Sequence, residues 1–418
     1  MIRHLLQLIW NQRKQNAWLW AELLLVSVFL WFLVDYLYVM GRTYTAPLGF
    51  DIRHTYSIVI SSLSERSPDY IPKEKRERPD GVHLLTALDR IRTYPGVESA
   101  CLTDGGMPYY MGSRNLVWRI DTLQVPCRYA FVTPEFFDVF RIYDKDGKTA
   151  SLKRAIEDNN SIVISADVET MNPGLSLLGQ KAYRGNVTDE IEETIRGISV
   201  PIRRHEYTKA EPNVYRALRL SRMEEGYYEG MIDAVRLCVR VRPDVDNADF
   251  PARFRKDMAE QLRLGNLYLL DVQPLSYIRN GYIRSIGVEN EVKTRVAVAC
   301  FLLANIFLGI IGTFWFRTEY RKGEMGLRMA LGSTRRQLNS IMVGEGVLLL
   351  VLAFIPSLLI SFNIAHMDLI DTYQDAMTQA EVSLESAQSK VDSTKENYDN
   401  YTITAPISGQ VITKSVKE

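Results

Sequence analysis

Three apolar stretches constrain what this chain can fold into more than any other feature. The first, Ala17 to Met40 (AWLWAELLLVSVFLWFLVDYLYVM), is about 36 Å long as a helix, enough to cross a bilayer. Trp18, Trp20, Tyr36 and Tyr38 lie near its ends, where amphipathic rings favour the membrane–water boundary. The second, Val296 to Phe316 (VAVACFLLANIFLGIIGTFWF), carries no charge, and the third, Val347 to Ala365, holds Pro356, which membrane helices tolerate better than soluble ones. A cleaved signal peptide fits the first stretch poorly, because the apolar run is too long and no small-x-small site follows it. The pattern predicts an α+β membrane protein with transmembrane helices at 17–40, 294–316 and 343–365.

Orientation follows from the basic residues. Arg3, Arg13 and Lys14 precede the first span, and Arg317, Arg321, Lys322, Arg328, Arg335 and Arg336 lie between the second and third. Positive flanks stay inside, so 1–16 and 317–342 are expected to be cytoplasmic. Residues 41–293, and everything after the third span, are expected outside. Over the whole chain 50 Lys and Arg balance 50 Asp and Glu, so bulk charge favours no nucleic-acid partner, and membrane lipid is the environment the spans imply. The cysteines Cys101, Cys127, Cys238 and Cys300 form no CxxC, which disfavours zinc. Whether Cys101 and Cys127 pair in an oxidising compartment, or are simply buried, spacing leaves open.

Within the outer segment two stretches share one pattern. Tyr56–Ser61 reads as a strand, Gly81–Tyr94 as a helix through Leu84, Leu85, Leu88 and Ile91, and Val97–Leu102 as a strand. Val235–Val241, a helix at about 250–262 and Leu267–Val272 repeat it. Two distant βαβ units predict a split βαβ subdomain with a second lobe inserted at about 103–230. That insert is expected to be strand-rich through LVWRI, RYAFV, SIVIS and ISVPI.

The segment between the second and third spans, RTEYRKGEMGLRMALGSTRRQLNSI, alternates Met325, Leu327, Met329 and Leu331 with small and charged residues. Gly323, Gly326 and Gly332 permit close backbone approach, and Ser333 or Thr334 is placed to cap a helix beginning near Arg335. This is a short docking helix with a basic collar, although arginines meeting anionic lipid explain the same composition. No Walker A loop, HExxH or GxSxG occurs, and His4, His54, His83, His205 and His366 are scattered, so no enzyme signature or cofactor site is expected.

EMGLRMALGSTRRQL resembles the segment "E-(I/M)-G-(I/L)-R-(K/R/M)-A-(L/I)-G-(A/S)-(S/T)-x-x-(Q/D)-(I/L)" of FtsX-like permeases. YAFVTPEFFDVF (Tyr129–Phe140), NSIVIS and SLLGQKAY together resemble the periplasmic core domain of MacB-type permeases, with Phe136, Phe137 and Phe140 most simply core residues. The resemblance implies a non-catalytic permease subunit of an ABC-type export, efflux or mechanotransmission complex in a bacterial inner membrane. ATP would be bound by a separate ABC ATPase subunit. The chain would work as a dimer with a second permease copy or paralogue, alongside a periplasmic adaptor and an outer-membrane exit protein. The ATPase-coupling residues would be Glu324, Met325, Gly326, Leu327, Arg328, Ala330, Leu331, Gly332, Ser333 and Arg335. Division-linked relatives imply an alternative, a mechanotransmitter that switches a cell-wall hydrolase, but they have a smaller outer domain.

The family implies a fourth span, and none follows Ala365. Instead 374–400 has the heptad spacing of a coiled coil at Ala380, Leu384, Ala387, Val391 and Tyr398, and YTITAPISGQVITKSVKE reads as strands. TITAPISGQVI resembles the entry of the adaptor (membrane-fusion) proteins' hairpin into their lipoyl-like domain. A permease–adaptor fusion, a chimera joined near Tyr373, and an ordinary outer tail all accommodate this. The chimera is the expectation, because half a hairpin and a partial lipoyl-like domain cannot bury a core.

Overall fold

The structure, a computed structural model, describes residues 13–112, 114–172, 174–184 and 190–367, with positions 7 and 10. The adaptor-like coiled coil and lipoyl-like strands at 374–418 lie outside the described residues. Leu37–Ala299 form one unit, and the described residues before and after it form another.

The Leu37–Ala299 unit, named the outer unit below after the side on which the sequence is expected to place it, begins in the last turns of helix α1 (Arg13–Thr45). Strand β1 (Thr55–Ser62), helix α2 (Asp80–Arg92) and strand β2 (Val97–Asp104) follow. An inserted lobe supplies β3 (Asn115–Ile120), β4 (Leu123–Val132), β5 (Ser161–Ser165), β6 (Lys181–Arg184), β7 (Ile191–Ser199) and β8 (Asn213–Ala217). The chain then returns through β9 (Val235–Val241), helix α3 (Phe250–Met258) and β10 (Leu267–Pro274) to helix α4 (Leu275–Ser285).

The strands lie in the order β10-β1-β9-β2-β4-β3-β6-β7-β5-β8, with β4 also pairing β8. Its first four strands pair antiparallel throughout, the order of a split βαβ unit, with β1 and β2 separated by β9. Leu84, Leu88 and Ile91 of α2 and Phe250 and Phe254 of α3 bury together with Ile58, Leu102 and Val239 of these strands. Helical spacing in α2 and alternation in the strands aim those side chains at one core. The opposite layer is built on Phe136, Phe137 and Phe140, all 0% exposed. Truncating one such ring to alanine costs about 3–5 kcal/mol.

The six insert strands close on themselves through the parallel β4–β8 pair, register Arg128↔Asn213 to Val132↔Ala217. Trp118, Ile120, Val125, Ile162, Ile195 and Val214 fill the ring, as side chains fill the interior of a small barrel. Only Thr103↔Val132 and Asp104↔Phe131 join β2 to β4.

Several expectations are corrected. Of ISVPI (198–202) only Ile198 and Ser199 are strand, because β7 runs earlier and ends at Ser199. Its inward Glu193, 1% exposed, meets arginines of β6 and β8, so a hydrophobic reading misses it. The Cys101–Cys127 question that spacing left open resolves as burial: Cys127 lies in the ring's core, while Cys101 stands opposite Cys238 across β2–β9, and all three are free thiols. Burial drives the Cys101 thiol well above its ordinary value. Helix α3 ends at Met258 rather than near 262.

The other unit is helical. It holds most of α1, most of helix α5 (Val288–Tyr320), helix α6 (Lys322–Ala330) and helix α7 (Arg335–Met367). Among the described residues three helices are long and apolar enough to cross a membrane. Helix α1 extends on both sides of 17–40, and α5 continues to Tyr320 before the chain breaks. Leu25, Phe29, Phe301, Phe307, Leu359 and Phe362 are all exposed; in water so much bare apolar surface would drive association, whereas a bilayer covers it.

Candidate coupling segment

Positions Glu345, Leu349, Ala353, Ser357 and Ser361 of α7 recur every four residues and are all at most 2% exposed. Leu349 and Ala353 pack against Leu19 and Leu23 of α1, and Trp20 Nε1 donates to the Leu352 carbonyl at 3.2 Å. Small side chains let the two helices approach closely, as packing between membrane helices requires. Glu345 begins this buried stripe, and its carboxylate accepts from Arg321 Nη1 at 2.7 Å.

Arg321 thus sits between two carboxylates, since its Nε also donates to Glu324 at 3.0 Å. Glu324 accepts from Arg328 at 2.6 Å one turn later. Hydrogen bonding from Arg321, reinforced by the fields of Arg321 and Arg328 against the cost of burial, holds the Glu324 carboxyl below its ordinary value. These three side chains and Met325 form the half-buried face of the segment. The opposite side of α6 carries Gly323, Gly326, Leu327 and Ala330 at helical spacing, with Leu331 at the helix's C-cap, all exposed. Leu327 is 64% and Leu331 79% exposed, and α6 contains no buried residue.

The turn into α7 is held by its backbone. Gly332 takes φ +97°, a left-handed conformation that costs a residue with a side chain. Its N–H donates to the Met329 carbonyl and that of Ser333 to Arg328, both at 3.0 Å, closing α6 with a Schellman motif. Thr334 then caps α7: its Oγ1 accepts from the Gln337 N–H at 3.3 Å while Gln337 Oε1 accepts from the Thr334 N–H at 3.0 Å. That reciprocal pair is a capping box and decides between Ser333 and Thr334 as the cap.

The ten residues singled out from sequence therefore separate. Gly326, Leu327, Ala330 and Leu331 share the open face, Glu324 and Arg328 close an internal ion network with Met325 beside them, Gly332 and Ser333 build the turn, and Arg335 is an exposed residue at the start of α7. Sequence reading did not find the Arg321–Glu345 link, although an acidic residue at the edge of an apolar run is the signal that points to it.

In the outer unit, a second contact holds the end of α1. Arg203, 4% exposed, donates to the carbonyls of Thr43, Ala46, Glu206 and Thr208. A helix ends with carbonyls lacking partners and a negative dipole pole, both of which a guanidinium satisfies. Beside it Glu206 accepts from Arg279 of α4 at 2.6 Å and from the Tyr109 hydroxyl at 2.9 Å. Tyr109 packs edge to face on Phe50 and Tyr282.

Residues 296–380 match the family model for the FtsX-like permease C-terminal domain. The match takes in most of α5, all of α6 and α7, and seven positions (374–380) of the segment read as adaptor-like. No curated protein matches the chain. Among solved structures, a domain described as that of a permease protein from Porphyromonas gingivalis is 18% identical, covering 55% of this chain and 92% of its own at TM-score 0.36. The periplasmic region of MacB from Actinobacillus actinomycetemcomitans is 9% identical, covering 53% and 90% at 0.31. The extracellular domain of the ABC-type transporter YknZ from Gram-positive bacteria is 11% identical, covering 51% and 100% at 0.30. Scores this low do not establish a common fold.

Proposed function

We propose that this chain is the permease subunit of an ABC-type complex, coupling ATP hydrolysis by a separate nucleotide-binding subunit to movement of its outer unit. The observation that carries the reading is the open face of α6, Gly326, Leu327, Ala330 and Leu331, on a segment anchored through Arg321 to α7 and matching a permease family. An exposed strip of small and apolar side chains on a fixed helix suits a groove on a partner protein better than it suits water. In this reading α6 faces the cytoplasm of a bacterial inner membrane and residues 41–293 lie in the periplasm. A second permease copy completes a dimer, and no cofactor is bound by the chain itself. Force arriving at α6 passes through Arg321–Glu345 to α7 and α1, whose far end is held by Arg203. Cargo would be expelled towards an adaptor and exit protein, and the adaptor-like tail after Tyr373 would stand on that same outer side.

Co-purification with candidate ABC ATPases tests the reading. Leu331→Asp and Leu327→Asp are expected to abolish ATPase association while leaving the chain's melting within about 0.5 kcal/mol, because both side chains are exposed. Unchanged association in both variants would refute the coupling role.

A further inference from the structure

The closed ring of the outer unit carries a cavity of about 320 Å³ with an unusual lining. One wall is aromatic: Trp118 meets Tyr129 at 5.6 Å and Tyr129 meets Phe131 at 5.8 Å, both edge to face. Five arginines, Arg114, Arg184, Arg216, Arg219 and Arg222, line the same cavity. Arg216 lies 5.0 Å from the Phe131 ring and Arg222 lies 5.1 Å from Tyr227.

Charge inside the cavity is not balanced. Asp104 pairs with Arg114 at 2.9 Å. Glu193 accepts from Arg216 Nε at 2.7 Å and lies 3.2 Å from Arg184 Nε. Two carboxylates therefore serve three arginines, and among the described residues Arg219 and Arg222 have no carboxylate partner. Burial, with the fields of Arg184 and Arg219, pushes the Arg216 guanidinium below its ordinary value although Glu193 pulls it up. An anion entering the cavity would offset that repulsion between like charges. Arg219 is half-buried and Arg222 exposed, so both are open to a ligand from solvent.

We propose that this cavity binds an organic anion, its phosphate or carboxylate head held by Arg219 and Arg222 and its apolar body laid against Tyr129 and Phe131. Guanidinium forks match such heads in two parallel hydrogen bonds, and a volume of this size admits a small aromatic or short acyl group. The site is independent of the ATPase-coupling reading.

The probe is 1-naphthyl phosphate, titrated calorimetrically into the full chain in neutral-lipid nanodiscs, with inorganic phosphate and 2-naphthol as comparisons. The naphthyl phosphate is expected to bind at least roughly tenfold tighter than either half alone, and more weakly as salt rises. Arg219→Gln with Arg222→Gln is expected to weaken it by roughly tenfold or more without shifting the melting temperature. Repeating the titration in anionic-lipid nanodiscs distinguishes the source of the natural anion: competition identifies a lipid headgroup, and unchanged binding a soluble anion. Equal binding of naphthyl phosphate and inorganic phosphate, no binding, or full affinity in the double variant overturns the proposal.

Discussion

The guanidinium of Arg321 donates to the carboxylate of Glu345 at 2.7 Å, across 24 residues and the turn between α6 and α7. Their side chains are 13% and 3% exposed, so the pair is largely out of water. Removing one partner of a buried pair costs far more than the pair contributes, because a charge is left behind. Arg321→Met is therefore expected to destabilise the helical unit by about 3 kcal/mol, read as a fall in the melting temperature of the detergent-solubilised chain, while Arg321→Lys recovers part of it. An unchanged melt would show that the link carries no energy.

The turn itself depends on conformation rather than space. A Cβ added at Gly332 meets nothing within 4 Å, yet φ is +97°. Gly332→Ala is expected to cost about 1 kcal/mol and Gly332→Asn less, seen as faster amide hydrogen exchange at 329–337. Thr334→Val removes the cap and costs about 1 kcal/mol at the same amides.

Arg203→Ala removes a donor from four carbonyls at the end of α1 and in the Glu206–Thr208 loop, of which that of Thr43 keeps the Ala46 N–H. Each buried carbonyl left without a partner costs about 1–3 kcal/mol, reduced where water enters. The outer unit is expected to melt at least about 2 kcal/mol less stable, and tryptic cleavage near 43–48 to accelerate. Unaltered cleavage would show that Arg203 does not fasten the helix.

Acid should loosen the outer unit in two stages. Burial pushes the His205 imidazole below its ordinary 6.5, with the Glu206 field acting in the other direction. Its Nδ1 accepts from the Tyr207 N–H at 3.3 Å, a role that protonation of that nitrogen ends. A depressed folded value means that stability is present above about pH 6.5 and declines as the pH falls below it. Glu206 is also held low: burial opposes this, but hydrogen bonds from Arg279 and Tyr109 prevail, so its contribution goes only below about pH 4.3. Burial holds His83 of α2 low as well, so melting temperature against pH is expected to slope downward from about pH 6.5, and His205→Asn to make that first stage shallower. A profile identical in the variant would remove His205 from the account.

What could be read in advance follows from where burial is periodic. The apolar runs of α1, α5 and α7 and the βαβ repeats announce themselves, because each buried face is continuous or recurs at a fixed step. β7 does not, since Glu193 is buried through arginines of other strands, and no local pattern encodes a distant partner. The same reason divides the candidate coupling segment. Its motif marks Glu324 and Leu331 alike, and only the positions of Arg321 and Glu345 reveal that one faces in and the other out. Likewise the arginines at 114, 184, 216, 219 and 222, far apart in sequence, line one cavity only in the folded unit.

The distinction between those two faces is the most direct test of the coupling claim. A photo-crosslinking amino acid placed at Leu331 on the open face, and separately at Met325 on the inner face, is irradiated with the partner ATPase present. The expected result is an ATPase crosslink from position 331 that changes yield with ATP, and none from 325. Crosslinks from 331 to lipid alone, or equal ATPase crosslinks from both positions, would contradict it.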